Sequence, residues 1–332
     1  MDQDDIDDFR EYLDYLEEVV ENERVPKRYI RDAENPIDFY NDKDFRYRYR
    51  FSKAIVLEVT LPRIIHRLVR VNNRGLPISP LIQLLTCLRY YGTGDFQTVS
   101  GDLRGISQQS VFLIIRRISE EICRLLSEYI QHPGLEQKRR NVRLFQAIAG
   151  FPGVAACIDC THIKIVNPGG DNAEVFRNRK GIFSLNVQVA IGPQMEMLDI
   201  VVRHPGSVHD SVFDRSALRV FCERGQMGGF LLGDNGYPCR PYLLTPIIHP
   251  GNVRDERYNR AHKSTRNIVE RVFGVYKRRF PCLYRGLTTK LETTQAIIYA
   301  TATLYNLGVK CKDNFIFEDE VAENIDDDIG NN

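Results

Sequence analysis

The run Val154-Ala155-Ala156-Cys157-Ile158 ends in an aspartate, Asp159, and continues through Cys160, Thr161 and His162 to Ile165. A short apolar run of this kind reads as a core β-strand. An aspartate inside it is costly to bury unless its charge is satisfied. Asp159 is therefore either a carboxylate bonded to neighbouring backbone amides or one leg of a metal site. The run also marks a change of period. Upstream of Gly153 the apolar residues recur at helical spacing, and downstream they alternate.

Upstream, RYRYRF at Arg46–Phe51 alternates as a strand could. Ser52 then caps an apolar segment stopped near Pro62, and Pro80 opens a helix that Gly92 and Gly94 end. Phe96–Leu103, the turn Arg104-Gly105-Ile106 and a helix capped by Ser107 form a helix-turn-helix-like segment, with Ile106 and Val111 at staple spacing. Val111, Ile114, Ile115, Ile118 and Ile122 mark its apolar face, with Arg116 and Arg117 off centre as candidate DNA contacts. Another short helix runs to Gly150.

Downstream, Phe183–Ile191 and Met197–Val202 complete an antiparallel meander with the first strand. A helix over Val208–Cys222, a short strand Gly229–Leu232, a helix from a Ser264 cap to about Phe280 and a last helix near Leu291–Leu307 follow. The order predicts an α/β chain: a mixed sheet flanked by helices, behind a helical N-terminal domain.

Charge narrows the ligand. Residues 1–24 carry eleven acidic and two basic side chains, and residues 313–332 carry eight acidic and none basic. Between them stand 43 basic against 25 acidic residues, a net of +18 that hides behind an overall +1. A body so positive suits a polyanion. The N-terminal tail has the spacing of a short amphipathic helix but reads first as a frayed end. No run of eighteen apolar residues suggests a membrane span, and the acidic start is no secretory signal. Cys157 and Cys160 form the one close cysteine pair, so a zinc ribbon is not expected, and the eight cysteines read as reduced thiols.

Asp159 has two candidate companions. Asp234 follows the buried run Phe230–Gly233, and Glu270 borders the packed face of the helix after Ser264, on one side with Arg266, Gly274 and Lys277. Three carboxylates from two strands and a helix can hold two divalent cations, because magnesium prefers hard oxygen ligands and paired metals promote phosphodiester transfer. A solvated charged helix following acidic loops is the alternative. Lys263, Arg266, Lys277, Arg278 and Arg279 would hold a nucleic-acid backbone, as would Arg179 and Lys180 before the second strand. His162 and His209 are candidate supporting groups. Gly274 would let the helix approach another element closely.

The blocks AGFPGVAACIDCTHIKI, NRKGIFSLNVQVAI, HPGSVHDSVF, LLGDNGYPCRPYLLTP and YNRAHKSTRNIVERVFGVYKRRFPCL resemble the PIF/Harbinger superfamily of DDE transposases and their domesticated, transposase-derived nucleases. With the upstream NPIDFYNDKDFRYRYRF and YGTGDFQTVSGDLRGISQQSV, the resemblance spans roughly residues 35–308. It implies a ribonuclease H-like core over residues 151–312, behind an acidic tail at 1–24 and a helical domain at 25–150, and before a second acidic tail at 313–332. It assigns the catalytic and metal-binding triad to Asp159, Asp234 and Glu270, and gives Asp210 a supporting role. Asn235 and His204 depart from the residues common at their places, but neither removes a ligand.

The resemblance further implies a DNA endonuclease and strand-transferase acting at transposon ends with two Mg2+ (or Mn2+) ions. It implies a Myb/SANT-like DNA-binding partner, a homodimer, and a nuclear location with a cytoplasmic pool before import. The alternative it carries is a domesticated nuclear protein acting as a DNA- or chromatin-associated scaffold with little or no nuclease activity.

Overall fold

The structure, a computed structural model, describes residues 35–69, 78–96, 106–208 and 211–313. Both acidic tails beyond Asp313 and before Asn35, the first helix and turn of the helix-turn-helix-like segment after Phe96, and His209 and Asp210 lie outside the described residues.

Asn41 opens the first long element, α1 (Asp42–Tyr49), by accepting from Asp44 N at 2.8 Å. The RYRYRF alternation therefore coils into a helix. Arg46 and Arg48 stay partly exposed and Arg50 closes the helix in the left-handed conformation at φ 67°, while Phe45 and Tyr49, four apart, reach the core. Pro62 does not stop the next segment. A π-helical stretch, Ile55–Thr60, runs straight into α2 (Leu61–Leu68). The wider turn absorbs the proline, whose missing N–H and bulky ring would break a regular α-helix.

Ser79 and Gly94 cap α3 (Pro80–Thr93), and Ser107 caps α4 (Gln108–Cys123) by accepting from Ser110 N. Val111, Ile114, Ile115, Ile118 and Ile122 are buried, as the helical period requires, and Ile106 joins them in the same core. Next comes α5 (Leu135–Ala149), which Gly150 closes in the left-handed conformation at φ 71°.

The sheet then forms: β1 (Val154–Lys164), β2 (Ser184–Ile191), β3 (Met197–Pro205), β4 (Phe230–Leu232) and β5 (Leu243–Leu244). Its order is β3-β2-β1-β4-β5. The β1–β2 and β2–β3 pairs are antiparallel, whereas β4 and β5 run parallel to β1. This mixed sheet, flanked by helices and preceded by a helical region, is a ribonuclease H-like core.

Strand β2 is buried on both faces rather than alternately. Leu185, Val187 and Val189 enter the large core, worth about 1.5–3 kcal/mol each. The polar side is also covered. Ser184 Oγ meets His162 and Asn178 at 3.0 and 3.1 Å, and Asn186 Nδ2 donates to Val208 O at 2.6 Å.

The single helix expected over Val208–Cys222 is broken. The described residues form α6 (Ser211–Asp214) and α7 (Ala217–Glu223), the latter newly capped by Ser216. The next helix is longer than expected. Asn252, not Ser264, caps α8 (Val253–Arg279), accepting from Arg254 N and Asp255 N. Ser264 lies in its interior, because the local cap signal is outweighed by packing on both sides of it. A short α9 (Pro281–Arg285) and the apolar α10 (Leu291–Lys310) complete the chain. Helix α10 packs on both α4 and β3, so one core joins the helical region to the sheet. Asn306 on α10 pins the start of β3 through Met197 N and O at 2.8 and 2.7 Å. No helix among the described residues is long and apolar enough to cross a membrane.

Candidate active site

The register decides where Asp159 points. It sits opposite Val189 in the β1–β2 pair, and Cys157, two residues earlier, shares its face. That face meets α8, where Cys157 Sγ donates to Thr265 O at 3.7 Å. Ile158, on the other face, packs in a second core with Phe213, Leu218 and Leu231. Two further bonds hold α8 over the sheet. Tyr258 Oη donates to Thr245 O at 3.0 Å, and buried His262 bonds Leu244 O at 3.1 Å. These pins bring Arg266 and Glu270, a turn apart, over the middle of β1.

Asp159 is bonded on both oxygens. Oδ1 accepts from Cys160 N at 2.8 Å, and Oδ2 accepts from Arg266 Nη2 at 2.6 Å. Arg266 Nη1 also reaches Glu270 Oε1 at 3.4 Å, so one guanidinium spans two carboxylates. The side chains of Asp159 and Arg266 are 15% and 17% exposed, whereas Glu270 is 63% exposed. Burial raises the Asp159 carboxyl to about 6 despite the pull of Arg266 and the Cys160 amide. The charges of Asp234 and Glu270 add to the rise, which places all three carboxylates in one electrostatic neighbourhood.

Asp234 sits where β4 ends. Its Oδ1 accepts from Gly236 N at 3.1 Å, tightening the turn into Tyr237. Tyr237 is buried beneath that turn, its hydroxyl 3.3 Å from Cys160 Sγ. Burial, and then the nearby thiol and carboxylates, raise its phenol well above the usual range. On α8, Gly274 meets open space: a Cβ there would find only Arg278 Nη2, at 4.0 Å. It approaches no other element, contrary to the sequence reading, and instead keeps the surface one turn beyond Glu270 clear.

The expected basic residues separate into groups. Arg179 and Lys180 are exposed on the turn before β2, held by Asn178 Oδ1, and Lys263 and Arg278 are exposed on α8. Lys277 is half-buried, with Nζ 3.4 Å from His162 O, and burial lowers its pKa. Arg266 faces inward onto Asp159. Arg116 pairs with Glu120 along α4, and Arg117 bonds Arg67 O.

Arg279 does not fit a DNA contact. Its guanidinium is 3% exposed, paired with Asp313 at 2.5 Å, bonded to Arg50 O and stacked 4.1 Å over Phe51. The helix periodicity turns it into the core, where only a buried counter-ion makes it tolerable. Asp313, which composition alone assigns to the acidic tail, is that counter-ion. Arg46 also pairs with it at 2.7 Å. His162 is held by Ser184, as a structural role requires.

The donor chemistry of Asp159, Asp234 and Glu270 suits a hard divalent cation. Their arrangement does not, because Arg266 takes Asp159 Oδ2. Among the described residues, no three His, Cys, Asp or Glu side chains are disposed to hold a metal ion. The inward turn of Arg266 was legible only in part. Its four-residue spacing from Glu270 is local, but the contact with Asp159 joins residues 107 apart.

A family model described as "DDE superfamily endonuclease" matches residues 158–306. The chain is 34% identical over 248 residues to the mouse (Mus musculus) protein named "Putative nuclease HARBI1", covering 73% of this chain and 71% of the relative. The Homo sapiens protein of the same name is 32% identical over 249 residues, with the same coverage. "Protein ALP1-like" of Arabidopsis thaliana is 23% identical over 274 residues, covering 77% of this chain and 67% of the relative. No solved structure matches the chain.

Proposed function

The chain belongs to the PIF/Harbinger group of DDE-superfamily endonucleases, and from that premise we propose that it is a domesticated, DNA- or chromatin-associated protein of nuclease type. In the free chain its carboxylate centre is closed. The observation that carries this reading is the Arg266 guanidinium bridging Asp159 and Glu270. DNA is the ligand, held by the exposed face of α8, on which Arg257, Arg260, Lys263, Arg271 and Arg278 are all exposed over a helix of about 40 Å. A Myb/SANT-like protein and a second copy of the chain are the partners of this reading, and the nucleus is its site of action.

A second reading has its own support. Asp234 and Glu270 stand close enough to Asp159 to perturb it, and Asp159 is held desolvated beneath a DNA-sized basic surface. These features suit a metal-dependent endonuclease or strand-transferase in which Asp159, Asp234 and Glu270 hold Mg2+ or Mn2+ after Arg266 withdraws.

The deciding experiment incubates the full chain and its partner protein with end-containing DNA and Mg2+ or Mn2+. DNA binding without cutting is expected of the first reading. Cutting that Asp159→Asn abolishes replaces it with the second. Loss of DNA binding altogether overturns both.

A further inference from the structure

Helix α8 shows solvent a stripe that the carboxylate centre does not use. Arg260, Arg271 and Arg278 lie within about 20° of one another around the helix, with Ser264 and Asn267 between them, all exposed. Arg266 and Glu270 point about 100° away. Elsewhere on the surface arginines meet a nearby acid, as Arg177 does Glu174 and Arg219 does Glu223. Along this stripe no described carboxylate lies within ion-pair distance. A row of cations left like this attracts a polyanion.

The stripe borders a cavity of about 470 Å3. Ser264, Asn267 and Arg271 form its polar wall, and Ile148, Pro193 and Met195 its apolar wall. The β2–β3 turn holds that shape at a cost, because Met195 takes φ 67°, which a residue with a side chain rarely adopts. Tyr305 Oη on α10 fixes it there by donating to Met195 O at 3.0 Å. Gly308, one turn later on α10, packs against the Arg279 guanidinium, which Asp313 pairs. The chain beyond Asp313 therefore starts beside the last turn of α8, at one end of the stripe.

That chain suits what the stripe and the cavity lack. Residues 314–332 hold seven carboxylates and no lysine or arginine, and Phe315, Ile316 and Phe317 come before the first acid. The acids form two main clusters, Glu318–Glu320 and Asp326–Asp328. Arg271 lies about 12 Å along α8 from Arg279, and Arg260 about 28 Å. Four residues at full extension reach about 13 Å, and fifteen reach about 50 Å. Phe317 can thus reach the cavity, the first cluster Arg271, and the second Arg260.

We propose that residues 314–332 are an intramolecular occupant of this face: Phe317 seats in the cavity, the acidic clusters neutralise Arg271 and Arg260, and DNA must displace the segment to bind α8. The proposal rests on the reading of α8 as the DNA-binding face. A tethered segment stands at roughly millimolar effective concentration, so an association of its own no tighter than about 0.1 mM lowers DNA affinity about tenfold.

The test uses the full chain at low salt, where charge pairing is strongest. One variant changes the seven carboxylates of residues 318–328 to amides, and another carries the photo-cross-linker p-benzoylphenylalanine in place of Phe317. Thermal melts confirm that both are folded. Cross-links made without DNA, mapped by mass spectrometry, should fall on α8 or on residues 192–196, and excess duplex should suppress them. In fluorescence anisotropy the amide variant should bind a labelled duplex about tenfold more tightly than the wild type. Cross-links that fall elsewhere, or that duplex leaves unchanged, overturn the proposal, as does equal duplex affinity of the wild type and a folded amide variant. Failure of both to bind duplex overturns instead the reading of α8 as a DNA-binding face, and the competition with it, whereas the cross-links made without DNA judge the seating of Phe317 by themselves.

Discussion

Asp159 and Arg266, 107 residues apart, meet at 2.6 Å between a central strand and the helix laid across it. The bond does not fully compensate for burial. The Asp159 carboxyl remains at about 6 against an ordinary 3.8. A carboxyl raised in the folded state binds its proton more tightly there than in the unfolded chain. The contribution of Asp159 to stability is therefore full below pH 4 and is lost as pH rises through about 6, by about 3 kcal/mol at most. Asp159→Asn lacks this loss. In metal-free urea denaturation the two proteins should differ little near pH 4, and the variant should be the more stable by pH 7.5. A variant less stable at pH 7.5 would show that the pairing with Arg266 outweighs the burial of the charge.

Arg279 and Asp313 pair with 3% and 2% of their side chains exposed, and burial brings Arg279 down to about 10. Asp313→Ala would remove the carboxylate that Arg279 and Arg46 share and leave the two guanidinium charges beside one another. A loss of about 3–5 kcal/mol in chemical denaturation is expected. DNA affinity per folded molecule should be unchanged at low temperature. A stability loss under about 1 kcal/mol would mean that water reaches the pair.

The exposed cations of α8 should behave in the opposite way. Lys263→Ala, Arg271→Ala and Arg278→Ala should each leave the melting temperature within a degree or two, since surface changes cost less than about 0.5 kcal/mol. Each should also reduce the slope of log affinity against log salt by about 0.9, the effect of one lost phosphate contact. Fluorescence anisotropy of a labelled duplex across salt concentrations measures this. An unchanged slope in all three would move the DNA interface off α8.

Gly233 precedes Asp234, and a Cβ there would sit 2.9 Å from the Tyr237 ring and 3.3 Å from Leu243. Gly233→Ala should cost about 1–3 kcal/mol by overpacking. Tyr237→Leu should cost stability alone yet recover part of the loss in the double variant, because the clash is with the ring. Additive losses in a double-mutant cycle would locate the strain elsewhere.

Much of this architecture is local and therefore legible. Pro80 opens α3 and Gly94 ends it, Ser107 caps α4, and the apolar face of α4 recurs at the helical period. The strands around Asp159 announce themselves by alternation and turns. What failed was also local. The RYRYRF alternation has the period of a strand, but Asn41 and the burial of Phe45 and Tyr49 make it a helix. Ser264 resembles a cap, yet Tyr258 and His262 dock the preceding turns on β5 and carry the helix through it. Tertiary contacts outweighed a preference worth tenths of a kcal/mol.

The sequence by itself determined the strand that carries Asp159, the strand end that carries Asp234, the helix that carries Glu270, and the positive body that surrounds them. Those depend on periodicity, turn chemistry and charge, all of which are written over a few neighbouring residues. Only the tertiary structure decided which basic residues face outward, that Arg279 lies buried with Asp313, and that Arg266 closes on Asp159. These outcomes depend on long-range register and desolvation. A charged side chain takes its role from the partner that burial forces upon it, and no local pattern names that partner.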